Sequence, residues 1–325
     1  ANVTVNWRFG EEPKLPVSYT YLGDYPQNRE PGWSEECQGV THDRSHWFIT
    51  ERSRLWKFPL SYDLNKHVPK NYADFGIRYV GIPPFLKKLG YNHFGDADLR
   101  DGYLYIPLEG SQPCKIVVFR SGDLSFVAEG DLDSAQQDHA AWCAINPSNG
   151  LLYSSNSENN YSLAVYSHEI KGSKFILSYL HRLTLHSECG THGKIDAVQG
   201  GVFSNDGKRL YISSNSGYGG GIFVFNPQTG WRIGHIKVDY KAWAGGEQDV
   251  TLTRDLDQIT LPDSRGQRQP ITVPGIEGQI HLIMIDNFDI DDIYNFGIGD
   301  DDLFFKHFRV PSEKKYEDSG LCTLF

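Results

Sequence analysis

Between Gly200 and Gln228 the chain alternates short apolar runs with breakers. Gly201–Ser204 (GVFS) is a short apolar run, and Asn205-Asp206-Gly207 then carries Asp-Gly turn chemistry, since glycine accepts positive φ without a Cβ clash. Leu210-Tyr211-Ile212 is a β-rich run, a second breaker follows at Gly217–Gly221, and Ile222–Phe225 is a third apolar stretch. The pattern predicts an antiparallel meander. Similar starts recur at Cys37–Thr41, His93–Ala97, Ala141–Ile145 and Val198–Val202, with a degenerate copy at Glu247–Thr251. An aromatic β run follows each one: His46–Ile49, Tyr103–Ile106, Leu151–Tyr153, Leu210–Ile212 and a displaced Gln279–Ile283. Third strands are expected at Arg54–Leu60, Lys115–Arg120, Tyr161–Tyr166, Ile222–Asn226 and Asp302–Val310. Fourth strands are expected at Gly76–Gly81, Leu124–Glu129, Phe175–Leu180 and Trp231–Val238.

The last repeat has no fourth strand of its own, and Val17–Leu22 at the front of the chain is suited to supply it. The pattern therefore predicts an all-β chain: a β-propeller of five four-stranded blades closed by an N-terminal strand in the last blade. Six blades is the competing count, with Asp249–Val310 divided between two sheets. A closed ring has no internal boundary, so residues 1–325 are expected to form a single domain.

Ser204–Ser214 (SNDGKRLYISS) with Gly220–Gly230 (GGIFVFNPQTG) resembles the repeats of lactonase-type, YVTN-like propellers, and Ile145–Ser155 (INPSNGLLYSS) is a weaker copy. The resemblance covers about one blade well and implies the architecture. It implies no activity, because such repeats serve enzymes and binding proteins alike.

Composition fits this picture: 18 Tyr, 18 Phe, 33 Gly and 16 Pro favour aromatic strands and many turns. No stretch approaches the roughly 18 apolar residues of a membrane span. A net charge of −10 argues against a nucleic-acid partner. The chain begins at Ala1, and Asn2-Val3-Thr4 and Asn160-Tyr161-Ser162 fit the glycosylation pattern, so a secreted glycoprotein is expected. The cysteines Cys37, Cys114, Cys143, Cys189 and Cys322 lack metal-site spacing; they form up to two disulfides or serve as buried small hydrophobes.

In a propeller the innermost strands line a central funnel, which selects the candidate chemistry. His42, His93, His192, Asp96 and Glu247 are the expected catalytic groups, with Trp142, Gln199 and His139 contacting substrate. Histidine exchanges protons near neutral pH, which suits β-elimination from a uronate in a polysaccharide lyase. A carboxylate pair such as Asp96 and Glu247 suits a glycoside hydrolase instead. Asp96 and Asp98 share one strand face and are candidate metal ligands, as are Asp286 and Asp289 in an oxygen-rich loop suited to Ca²⁺.

The expected partner is a glycan or other small polar ligand. The reading from a different class is a non-catalytic glycan-binding, adhesion or toxin receptor-binding module, with Trp33, Tyr218 and Trp243 as exposed stacking surfaces. A small-molecule lactonase follows from the repeat resemblance alone.

Overall fold

The computed structural model describes residues 19–43, 45–187, 191–215, 220–236, 238, 248–255, 260–262, 268–270, 276–286 and 302–311. Their regular structure is all-β, 54% strand against 4% helix, in curled and mainly antiparallel sheets. Strand β1 (Thr20–Asp24) is followed by a first sheet of β2 (Cys37–His42), β3 (His46–Glu51), β4 (Arg54–Pro59) and β5 (Arg78–Gly81). The second sheet holds β6 (His93–Phe94) and β7 (Asp98–Arg100), both paired with β8 (Tyr103–Glu109), then β9 (Lys115–Arg120) and β10 (Phe126–Asp131). β11 (Cys143–Ile145), β12 (Leu152–Ser154), β13 (Ser162–Lys171) and β14 (Lys174–Thr184) form the third sheet, which one parallel β10–β14 pairing joins to the second, so that these nine strands are hydrogen-bonded together.

A short pair, β15 (His186–Ser187) and β16 (Thr191–His192), precedes the fourth sheet. That sheet is β17 (Val198–Phe203), β18 (Leu210–Ser214), β19 (Gly221–Phe225) and β20 (Arg232–Ile236). The chain then forms β21 (Gln248–Asp255), a second short pair of β22 (Thr260–Pro262) and β23 (Arg268–Pro270), and β24 (Ile276–Asp286) with β25 (Asp302–Pro311). The last sheet runs in the order β1-β25-β24-β21.

The front strand does complete the final sheet. β1 runs antiparallel to β25, with Thr20 opposite Arg309 and Asp24 opposite Lys306. Lys306 Nζ adds a 3.2 Å contact to Asp24 Oδ1. Two strands differ from expectation. The run expected over His93–Ala97 is broken into β6 and β7, because at Asp96 the backbone leaves β8 and bridges in parallel to Trp142 of the third sheet. The β13–β14 hairpin extends well beyond Tyr166, and its far end meets β10 in parallel at Glu129 and Lys174.

Alternation along each strand explains the packing: successive side chains point to opposite faces, so each sheet must be covered on both. Leu210 and Ile212 pack with Tyr153, Leu163 and Val165 of the third sheet, while Tyr211 between them packs with Ile280, Leu282 and Phe304 of the last. Phe48 and Leu55 of the first sheet pack with Leu104, Ile106 and Val117 of the second. Tyr105, Ile116 and Val118 pack with Leu152, Ala164 and Tyr166 of the third. The series returns on itself, because Trp47, Ile49 and Trp56 of the first sheet pack with Ile283, Ile285 and Phe305 of the last. The first strands follow the same circuit: β2 lies beside β7, β7 beside β11, β11 beside β17, β17 beside β21 and β21 beside β2.

Glycines let these strands approach. Gly201 on β17 faces the Trp142 ring so closely that a Cβ there would overlap it. Cys37 and Cys143 are buried, as the small-hydrophobe reading expects, and Cys114 is buried with them. Cys114 Sγ and Cys143 Sγ lie against the carbonyls of Asp138 and Tyr105 rather than against another sulfur. Cys189 and Cys322 lie outside the described residues. Asn160 is buried, with its amide donating to the Asn156 carbonyl, so the folded chain does not present it as a glycan acceptor. Asn2 lies outside the described residues.

The contact at Gly201 gives a direct test. Gly201→Ala must displace a rigid indole, and strain of this kind costs roughly 1–3 kcal/mol. A fall in the urea midpoint is expected; an unchanged midpoint would show that the third and fourth sheets are not packed this tightly.

Candidate functional site

Loops that enter the first strands carry most of the polar groups singled out by sequence. His93 on β6 stands directly opposite Glu109 at the end of β8, and cross-strand partners place their side chains on the same face. Glu109 Oε1 accepts the Ala140 N–H and lies 3.5 Å from His139 Nδ1. The Glu109 side chain is 18% exposed and that of His139 60%. An imidazole and a carboxylate therefore meet where solvent still has access, with a second histidine across the strand pair.

The loop bearing His139 is held from beneath. Buried Gln137 donates from Nε2 to the His139 carbonyl and to Ser154 Oγ, both at 3.0 Å. The Tyr166 hydroxyl donates to Gln137 Oε1 at 3.0 Å. Burial pushes the Tyr166 hydroxyl well above its ordinary pKa, so it remains a donor. Asn156 Oδ1 accepts the Asp138 and His139 N–H groups at 3.1 and 3.2 Å. Fixed backbone on this scale positions a proton-transfer group.

The other expected residues take different places. Asp96 and Asp98 are 0% and 2% exposed, so neither carboxylate is open to solvent. Asp96 Oδ2 accepts the Gly201 N–H of the fourth sheet at 3.2 Å, and Asp98 Oδ2 accepts the Ile145 N–H of the third at 2.8 Å. Among the described residues no three His, Cys, Asp or Glu side chains gather as a metal ion requires.

Trp142 is buried against β17, its indole N–H donating to Ser155 Oγ at 2.9 Å, so it offers no stacking face. Trp33, expected on an exposed loop, is likewise buried, with its indole N–H on the Leu64 carbonyl. Gln199 is half-buried on β17. Glu247, Asp289, Tyr218 and Trp243 lie outside the described residues, as do the side chains of His192 and Asp286.

His42 and His93 are not neighbours along the sheet. His42 pairs with Trp47 at one end of β3, whereas β6 docks at the other end through Phe94 N–H to the Arg52 carbonyl at 2.8 Å. His42 instead packs edge-on against Trp47 and His281.

Sequence reading missed Glu109, Gln137 and Glu51. Glu109 closes the run Tyr103–Leu108 immediately before Gly110, and counting back across the hairpin opposes it to His93. Gln137 and Glu51 carry no comparable signal, since only the fold buries them. Glu51, 5% exposed, accepts the Trp56 indole N–H at 2.6 Å. Burial pushes its carboxyl up to about 8, against the indole hydrogen bond and the pull of half-exposed Arg54 at 3.6 Å. Burial wins because the Arg54 charge is solvated and screened.

No described protein family matches the sequence, and neither does any curated protein. Solved structures give loose likenesses. Kuenenia stuttgartiensis hydrazine synthase matches at 10% identity and a TM-score of 0.38, over 78% of this chain and 64% of that one. A functionally unknown protein from Desulfotomaculum acetoxidans matches at 12% identity and TM-score 0.41, over 80% and 67%. KlHsv2 with loop 6CD replaced by a Gly-Ser linker matches at 11% and 0.36, over 83% and 70%. At these scores the likenesses assign nothing.

Glu51 sets a pH dependence whose sign follows from its raised pKa. Between the unfolded value of 4.5 and about 8, the native state keeps a proton that the unfolded chain releases. Glu51 therefore costs stability increasingly as pH rises through that window. Glu51→Gln, which keeps an acceptor for Trp56, should be close to neutral at the acid end and stabilising at the alkaline end. Paired urea titrations at the two ends measure it; an equal effect at both would contradict burial of the proton.

Proposed function

We propose that the chain is a β-propeller of five four-stranded blades, and that the His93–Glu109–His139 cluster at one rim makes it a secreted carbohydrate-active enzyme. Ring closure is supported by the packing circuit of the sheets and the β1–β25 pairing. The five-blade count is supported by β21, β24, β25 and β1 sharing one sheet, with only the short β22–β23 pair apart from it among the described residues of that stretch.

The observation that carries the activity is the Glu109 carboxylate 3.5 Å from a solvent-open imidazole, with His93 directly opposite on the paired strand. Two imidazoles and one carboxylate suit proton transfer better than the two-carboxylate arrangement of glycoside hydrolysis. The reaction that uses them is β-elimination from a uronate-containing glycan. A neutral imidazole takes the proton α to the sugar carboxylate, the C–H electrons form the new double bond, and the C–O bond to the leaving sugar breaks. The second group, protonated, delivers a proton to the departing oxygen. Glu109 holds His139 in the orientation that proton exchange needs.

A recognition role is the second reading, favoured by Tyr161, which is 47% exposed with Lys194 Nζ 5.9 Å from its ring centroid. An aromatic face beside a cation suits an acidic sugar.

Incubation with a panel of uronate and neutral polysaccharides, followed by ultraviolet absorbance of unsaturated ends, separates the two. Turnover is expected on a uronate polymer. His139→Ala and Glu109→Gln should each reduce it by about 10²-fold or more, the usual contribution of a positioned proton-transfer group. Tight binding of one glycan with no turnover on any would replace the lyase with the recognition module.

A further inference from the structure

A short helix, α1 (Pro84–Lys88), follows β5 directly and lies where the first sheet meets the second. Pro84 opens it, at a position where the missing N–H costs nothing, and Gly90 closes it at φ +96. Leu86 is its anchor. Fully buried, it packs with Ile82 and Tyr91 into the cluster that joins Phe48 and Leu55 of the first sheet to Leu104 and Val117 of the second. The Gly90 and Tyr91 N–H groups donate to the Lys87 and Leu86 carbonyls, and the Tyr91 hydroxyl donates to the Pro113 carbonyl at 2.6 Å. The turn is thus fixed against the core on one side.

Two apolar side chains point the other way. Leu89 is 61% exposed, the most of any large hydrophobic residue among those described, and Phe85 is 47% exposed. Four positions apart on near-helical backbone, they share a face with Lys88. Phe85 leans on Phe126 of β10, with ring centroids 5.6 Å apart. Lys87 lies back over the end of β5, its Nζ 3.7 Å from where a Cβ on Gly81 would stand. Arg78 shares a face of β5 with Val80, which packs against the same cluster as Leu86.

Exposed apolar residues are ordinary singly; the charge around these is what sets them apart. From Lys66 to Lys88 the chain has five Lys and Arg residues and one acid, Asp74, in a molecule whose net charge is −10. Lys66 lies 3.9 Å from Asp63, but Arg78, Lys87 and Lys88 form no ion pair among the described residues. Lys57, opposite Arg78, donates to the Ser121 and Gly122 carbonyls, and the Asp123 carboxylate on that same turn accepts from Ser125.

We propose that this corner docks on an anionic lipid bilayer, with Phe85 and Leu89 entering the interface and Arg78, Lys87 and Lys88 meeting the headgroups. Cations without partners of their own gain by approaching a negative surface, which fixes the sign of the partner. The apolar pair fixes its nature. Two side chains fall far short of the roughly 800 Å² that each partner buries in a stable protein interface. Neither can hydrogen-bond a sugar, and Leu89 has no flat ring to stack on one. The boundary between headgroups and acyl chains accepts small apolar insertions of this kind when basic residues flank them. Five residues cannot span a bilayer, so α1 lies on the surface and the attachment is weak and reversible. The surface uses none of the rim residues and stands whether or not the chain acts on glycans.

Co-sedimentation of the full chain with vesicles tests it. Binding is expected to vesicles of equal parts phosphatidylglycerol and phosphatidylcholine, and none to phosphatidylcholine alone. Salt at about 0.5 M, which screens charges beyond a few ångströms, should release the bound protein. Lys87→Ala combined with Lys88→Ala should weaken binding about tenfold or more, the effect of two cations at such a surface. Leu89→Ser should weaken it about fivefold or more, with an unchanged urea midpoint because the side chain is already exposed. No binding to the mixed vesicles, or wild-type binding by either variant, would overturn the proposal. Retention on immobilised heparin without vesicle binding would also overturn it, in favour of an acidic polysaccharide.

Discussion

Each of the larger sheets among the described residues has two apolar faces, and an isolated curled sheet can bury neither. That requirement organises the molecule, because hydrophobic burial is the dominant favourable contribution to folding and scales with the area removed from water. Each sheet covers the face of the one before it. The final covering must come from the first sheet, where Trp47, Ile49 and Trp56 meet Ile283, Ile285 and Phe305. The chain secures that last contact by pairing β1 with β25, so the two ends of the described chain sit in one sheet.

Closing the circuit crowds the first strands together, and the crowding decides what their polar residues do. Asp96 and Asp98 each accept a backbone N–H from another sheet, Gly201 and Ile145 respectively, and a buried carboxylate without such partners would be costly. Gly39 and Gly201 are small where Asp96 and Trp142 press against them. Acids that look catalytic in the sequence are thus tie points between sheets, while the solvent-open pair is displaced outward to Glu109 and His139.

The two histidine groups show how one residue type takes opposite parts in one fold. His139 stands on a loop braced by Gln137 and Asn156 and keeps its ring in solvent beside the Glu109 carboxylate. His281 and His307 are enclosed by Trp47 and Phe305, with their Nδ1 atoms against each other and His307 Nε2 against the Tyr25 carbonyl. Exposure separates the two environments: one ring is open to water and the other two are closed off from it.

The sequence by itself determined most of the strands in the four-stranded groups, their order there and the use of the front segment as the last sheet's partner. Period-two alternation, aromatic runs and Gly-rich turns are local signals, and alternation records which faces are buried. It also placed His93 and His139 among the polar groups worth weighing. Only the tertiary structure decided that Trp33 and Trp142 are buried and that His42 belongs to the seam of the last and first sheets instead of the rim. The same holds for Glu51, which keeps its proton to about pH 8, and for Glu109, which lies beside His139 and stands opposite His93 across the strand pair. Burial, charge state and convergence depend on what neighbouring sheets bring to a residue, and those neighbours lie tens to hundreds of positions away in the chain, beyond the reach of any local pattern.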